Sequence, residues 1–123
     1  MSRILIADDD AVLRALMHKT LAGEGHEVVS VEDGIDALSA LSSSPFDLVI
    51  SDLDMPGLDG MGLVARITSD VASRSVDAKI LLISGLADEL LRAKGFPRER
   101  VSTLQKPFSL EQFRDRVGMI LRG

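Results

Sequence analysis

Asp47-Leu48-Val49-Ile50-Ser51-Asp52 is the stretch on which the fold turns. It is a short apolar run that closes on a carboxylate. A second run of the same design, Arg3-Ile4-Leu5-Ile6-Ala7-Asp8-Asp9, lies near the amino end. Apolar runs of this length become strands covered on both faces, the habit of parallel sheets. Carboxylates just past the carboxyl ends of neighbouring parallel strands converge on the edge where open α/β sheets bind ligands. Asp8, Asp9 and Asp52 therefore read as one cluster, with Lys106-Pro107 supplying the opposite charge. Three carboxylates in one place repel: at ~4 Å each like pair costs about 4 kcal/mol at an effective dielectric near 20. A divalent metal, or protonation of one member, holds such a cluster together. The pattern points to a hard-cation site with chemistry on one carboxylate.

Working outward, strands and helices alternate along the chain. Arg3–Ala7 reads as a strand and Asp10–Ala22 as a helix with Leu13, Leu16, Met17 and Leu21 inward, stopped by Gly23 and Gly25. Val28–Val31 is a second strand. Asp33 or Gly34 opens a helix through Leu41, with Ile35, Leu38 and Leu41 on one face, and Ser42-Ser43-Ser44-Pro45 breaks it. Asp47–Ser51 is the third strand, followed by a loop from Met55-Pro56-Gly57 to Gly60. A helix over Met61–Thr68 places Leu63, Val64 and Ile67 inward. The stretch Ser69–Ala78 carries no clear pattern. Lys79–Ile83 is a nearly all-apolar and so central strand, Ala87–Lys94 a short helix, and Val101–Leu104 a fifth strand. Ser109 caps a last helix bearing Leu110, Phe113, Val117, Ile120 and Leu121. Met17, Met61 and Met119 read as core filler, and His18 and His26 as surface or helix-end residues. Five β-α units imply a parallel sheet with helices on both faces. Right-handed crossovers leave few topologies, the common one having strand order 2-1-3-4-5. Its switch point, between the first and third strands, is where Asp8, Asp9 and Asp52 would meet.

Composition narrows the function classes. A chain of 123 residues is one domain, residues 1–123, able to bury roughly two-thirds of its unfolded surface. No apolar stretch approaches the ~20 residues of a membrane span, and the amino end lacks the pattern of a secretory signal. With no cysteine, thiolate and disulfide chemistry are excluded, which suits a cytoplasmic protein. A net charge of −5 and the lack of Trp and Tyr argue against nucleic-acid binding.

Four motifs, each at the end of its own predicted strand, carry a family resemblance: Ala7-Asp8-Asp9, Asp47 through Gly60, Ile83-Ser84-Gly85 and Lys106-Pro107-Phe108. Each alone is weak, but in this order the chain resembles a response-regulator receiver domain, the phosphoacceptor of bacterial two-component signalling. The resemblance implies a flavodoxin-like fold and a domain that catalyses its own phosphoryl transfer and dephosphorylation rather than a conventional enzyme. It implies that Asp52 takes a phosphoryl group from a phosphohistidine on a sensor histidine kinase or histidine phosphotransfer protein. Asp9, Asp52 and the backbone carbonyl of Asp54 would ligate Mg²⁺, with Asp8 acting largely through bound water. Ser84 would bond a phosphoryl oxygen, and Lys106 would pair with Asp52 before transfer and with the phosphoryl group afterwards. The Lys106-Pro107 bond is a candidate for the cis isomer, which costs little before proline and would aim the lysine. With no effector domain in the sequence, output would pass through a downstream protein partner. The bend before Val101 and the run Leu104–Phe108 resemble small stand-alone regulators of cell-cycle and proteolysis control.

Some residues depart from the family pattern. Three positions before the motif lysine, where receivers commonly carry an aromatic, stands Thr103, so the usual aromatic readout is in question. Gly95-Phe96-Pro97-Arg98-Glu99-Arg100 replaces a small Gly-Ala pair, and Pro97 must interrupt any helix there. The partner face is expected around the fourth and fifth predicted helices and the fifth strand. Asp54 and Leu86 occupy positions that tune phosphoryl lifetime in the family. Three rival readings compete with this resemblance. Asp52-x-Asp54 resembles the aspartate pair of haloacid-dehalogenase-type phosphohydrolases, but there the pair lies on the first strand and Thr or Val stands where Pro56 is. An EF-hand calcium loop fails at Pro56 and lacks its distal Glu. A receiver-like binding module that never accepts phosphate would not need the full set Asp8, Asp9, Asp52, Ser84 and Lys106.

Overall fold

The computed structural model describes residues 1–53, 78–86 and 99–123. In chain order these form β1 (Arg3–Ala7), α1 (Ala11–Gly23), β2 (Glu27–Val31), α2 (Gly34–Ser43), β3 (Leu48–Asp52), β4 (Lys79–Ser84), β5 (Val101–Gln105) and α3 (Leu110–Arg122). The expected helices over Met61–Thr68 and Ala87–Lys94, the loop ending near Gly60, Asp54, Met61 and the segment around Pro97 lie outside the described residues.

The five strands make one sheet in the order β2-β1-β3-β4-β5, and every pair is parallel. This is the expected topology. Its centre is dry: Ile4, Leu5, Ile6, Leu48, Val49, Ile50, Leu81, Leu82 and Ile83 are fully buried. Side chains alternate across the sheet, so two cores form. On one face Ile4, Ile6, Leu48, Ile50, Leu81 and Ile83 meet Met17 and Leu21 of α1 and Phe113, Val117 and Ile120 of α3. On the other, Leu5, Ala7, Val49, Ile80 and Leu82 meet Ala37 and Leu41 of α2. A strand buried on both sides has no polar face to reveal its alternation, which is why these runs read as unbroken hydrophobicity.

Helix ends follow side-chain chemistry. The Asp10 carboxylate accepts from the backbone N–H groups of Val12 and Leu13, capping α1. Gly25, at φ 91°, turns the chain from α1 into β2 in a conformation that suits glycine. α2 runs to Ser43, past the expected stop at Leu41, because the hydroxyls of Ser42 and Ser43 donate to the carbonyls of Leu38 and Ser39, each at 2.9 Å. Ser109 and Gln112 exchange side-chain and backbone bonds in a capping box at the start of α3.

The inward faces of the helices are narrower than expected. Leu16 is 43% exposed, Ile35 64% and Met119 62%, and Leu110 is also exposed. Leu16, Ile35 and Leu110 stand at the margins of their apolar stripes, and a helix lying on a sheet buries only the central part of that stripe; Met119 lies round the helix from Phe113, Val117 and Ile120. Met119 is thus not core filler, whereas Met17 is. His18 and His26 are half-buried and bonded: His18 Nδ1 lies 2.5 Å from Ser30 Oγ, and His26 Nδ1 accepts from the Ser2 N–H.

Phe113 is fully buried and stacks on Phe108 at a centroid distance of 6.0 Å. Replacing it with alanine removes a large side chain from the core that β1, β3, β4 and β5 share with α1 and α3. Phe113→Ala should lower unfolding free energy by about 3–5 kcal/mol, read as a lower urea midpoint at unchanged m-value; a loss below about 1 kcal/mol would show that this core is not close-packed.

Candidate functional site

The sheet registers bring the expected residues to one edge. Ala7 pairs with Ser51, so the next step along β1 sets Asp8 level with Asp52. Asp52 pairs with Ile83, one residue before Ser84, and Ser84 pairs with Gln105, one residue before Lys106. Backbone bonds continue past the strand ends and hold these positions. The Asp8 N–H donates to the Val31 carbonyl at 3.2 Å, the Leu53 N–H to Ile83 at 2.9 Å, and the Lys106 N–H to Ser84 at 2.9 Å.

Asp8 is fully buried and Asp52 2% exposed, while Asp9 faces solvent. Carboxylate oxygens of all three lie within 4.8 Å of one another. Lys106 Nζ reaches Asp52 Oδ2 at 2.8 Å, and the Lys106-Pro107 peptide is cis. The Ser84 hydroxyl accepts from the Leu86 N–H at 2.9 Å. Asp8, Asp9, Asp52 and Lys106 therefore meet at this edge, and Ser84 ends the neighbouring strand. Asp54 lies outside the described residues.

Asp8 is the most strained member electrostatically. Its Oδ1 accepts from the Asp10 N–H at 2.8 Å, but among the described residues its buried Oδ2 has no hydrogen-bond partner. Burial pushes its carboxyl up from 3.8 to about 6; the bond from Asp10 opposes this, and the Asp52 charge adds to it. An orphaned buried oxygen beside two further carboxylates fits Mg²⁺, a hard cation that takes a few carboxylates and keeps water in its remaining positions. A second acidic group, Glu32, Asp33 and Asp36, also clusters at the start of α2. There the Asp33 carboxylate is engaged as a helix cap, accepting from the Asp36 N–H.

One contact was not foreseen from the sequence. Arg14, half-buried on α1, donates from Nη1 to the Asp8 backbone carbonyl at 2.7 Å. The available signal was a cation near the positive end of a helix, where the dipole disfavours it. At Thr103, in place of the expected aromatic, the backbone carbonyl accepts from Arg116 Nη1, joining α3 to β5.

Comparison with known proteins agrees with this geometry. Residues 4–118 match the family model described as the response regulator receiver domain. The chain is 32% identical over 121 residues to the response regulator receiver protein CpdR of Brucella abortus, covering 98% of each. It is 34% identical over 120 residues to the transcriptional activator protein PfeR of Pseudomonas aeruginosa, covering 98% of this chain and 38% of that protein. Among solved structures, the chemotaxis response regulator CheY4 of Vibrio cholerae superposes with a TM-score of 0.86 at 26% identity, covering 98% of this chain and 99% of that one. The chain thus spans little more than a third of PfeR and nearly all of CpdR. Among the described residues no helix is long and apolar enough to cross a membrane. By the family match, the sheet order and the acidic edge together, this chain belongs to the response regulator receiver domain family.

Proposed function

We propose that the domain accepts a phosphoryl group on Asp52 from a phosphohistidine of a sensor histidine kinase or histidine phosphotransfer protein. The observation that carries this reading is the 2.8 Å ion pair between Lys106 Nζ and a buried Asp52 carboxylate that lies beside two further aspartates. A carboxylate oxygen of Asp52 attacks phosphorus; the P–O bond forms as the P–N bond breaks, and its electron pair returns to the donor imidazole. Such transfer needs positioning and charge stabilisation more than covalent help from the protein. Lys106 holds one Asp52 oxygen and so sets the plane of the carboxylate. Once the phosphoryl group adds negative charge, its flexible ammonium can follow that charge. The Ser84 hydroxyl, at the end of the neighbouring strand, supplies a donor for a phosphoryl oxygen. Bound Mg²⁺, held by Asp8, Asp9, Asp52 and the Asp54 carbonyl, would offset the negative charge gathered in the transition state.

Beside this edge lies an apolar groove. Asp10, Val12, Leu13 and Leu16 line it together with Lys106, Pro107 and Phe108. Val12 and Leu16 are exposed. An apolar groove lined in part by Lys106, the ion-pair partner of Asp52, suits the apolar face of a helix that presents the phosphohistidine. The match over nearly all of CpdR supports reading residues 1–123 as one receiver unit. Receipt of a phosphoryl group from such a kinase or phosphotransfer protein would place its site of action in the cytoplasm.

Three outcomes test this reading. Acetyl phosphate with Mg²⁺ should add one phosphoryl group to the wild type, seen by intact mass, and none to Asp52→Asn. Equal labelling of both would remove Asp52 as acceptor, and silence in the wild type towards both acetyl phosphate and beryllofluoride would favour a binding module.

The pH dependence follows from Asp8. Its folded-state value near 6 lies above 3.8. Between those pH values the folded chain holds a proton that the unfolded chain has lost, so rising pH destabilises the Mg²⁺-free protein. Asp8→Asn should match wild-type stability near pH 4 and exceed it by roughly 3 kcal/mol at pH 7 without Mg²⁺. A gap that stays constant with pH would show that Asp8 titrates normally.

For the groove, Leu16→Asp should slow transfer from a phosphorylated donor protein at least about tenfold while leaving acetyl phosphate labelling unchanged. Equal slowing of both donors would place Leu16 in folding rather than docking.

A further inference from the structure

Arg14 stands at an unfavourable place for a helix cation. It lies one turn after the Asp10 cap, whereas the last turn of α1 has no basic residue. The amino end of a helix carries partial positive charge, so arginine there gives up a favourable dipole interaction. Nor does the side chain extend into water. It is half-buried and turns back to the Asp8 carbonyl.

That carbonyl belongs to the peptide joining Asp8 to Asp9. Three successive peptides in this turn each have an anchor. The one entering Asp8 is held through its N–H by the Val31 carbonyl at 3.2 Å. The one leaving Asp9 is held where the Asp10 N–H donates to Asp8 Oδ1 at 2.8 Å. The middle one is held by Arg14 at 2.7 Å. Rotation of that middle peptide is the motion that would swing the exposed Asp9 carboxylate away from buried Asp52. Mutual repulsion among three carboxylates within 4.8 Å drives the swing in that direction.

We propose that Arg14 is a positioning residue for the cation site: it clamps the Asp8-Asp9 peptide so that both carboxylates are aimed at Asp52 before a metal arrives. This rests on the Mg²⁺-assisted reading above. The guanidinium also brings a positive charge, which by itself would oppose a second cation, so clamp and charge act in opposite directions on metal affinity. That opposition makes the inference separable by experiment.

The test is an Mg²⁺ titration of the full chain followed by amide NMR, with thermal midpoints measured in excess chelator. Arg14→Ala should raise the Mg²⁺ dissociation constant about tenfold, the lower end of the loss seen when a partner that orients metal ligands is removed. Arg14→Lys keeps a donor and the charge on a long stem, and should recover most of that loss. Arg14→Met keeps the aliphatic packing without donor or charge, and supplies the same comparison if the alanine variant does not fold. Unchanged or tighter Mg²⁺ binding by the truncated variants overturns the clamp, as does a lower thermal midpoint with an unaltered dissociation constant. Absence of Mg²⁺ binding by the wild type would overturn the reading beneath it as well, and so is told apart from failure of the clamp alone.

Discussion

Everything at the functional edge depends on gathering negative charge where water is scarce. Asp8 and Asp52 are buried side by side, with Asp9 at the rim. Among the described residues, the Lys106 ammonium on Asp52 offsets part of this repulsion. The protein also directs the Asp10 N–H and the Arg14 guanidinium at Asp8 and its carbonyl. Asp8 Oδ2 remains uncompensated among the described residues. Raised proton affinity at Asp8 and affinity for a hard cation are two expressions of the same constraint, since either a proton or a metal relieves it.

A strained cluster needs a stiff support, and the sheet supplies one. β1, β3 and β4 are sealed on both faces, so the strand ends from which Asp8, Asp52 and Ser84 project cannot shift independently. α1 and α3 cover one face, and Lys79 fixes the far end of α3 by donating to the Ile120 carbonyl at 2.9 Å. Among the described residues at this edge, the Lys106 ammonium and the Ser84 hydroxyl can be re-aimed by side-chain rotation alone. If Asp52 accepts a phosphoryl group as proposed, the added charge would redistribute a few polar contacts over this fixed floor. At Thr103 the family's common aromatic is missing. The Arg116 bond to the Thr103 carbonyl ties β5 to α3 without a ring.

Strand boundaries show how sequence and structure differ in what they report. Asp52, Ser84 and Gln105 belong to their strands although each lies beyond the last residue of the expected run. Hydrophobicity marks where burial ends, but ladder hydrogen bonds run on until a turn breaks them, and polar residues can make those bonds as well as apolar ones. Likewise Leu16 and Ile35 share a helical period with core residues yet face outward. Periodicity locates an apolar stripe; where the sheet surface cuts across it depends on how the helix is rolled.

The sequence by itself determined the alternation of strands and helices and the parallel sheet, and, with the family resemblance, the strand order and the set Asp8, Asp9, Asp52, Ser84 and Lys106. These follow from local pattern and from motifs at strand ends, which need no knowledge of neighbours in space. Only the tertiary structure decided that Asp8 is sealed from water with an orphaned oxygen, that Asp9 is not, and that Arg14 reaches the peptide between them. Burial and side-chain reach depend on which elements stack over a position, and that information lies in residues distant along the chain.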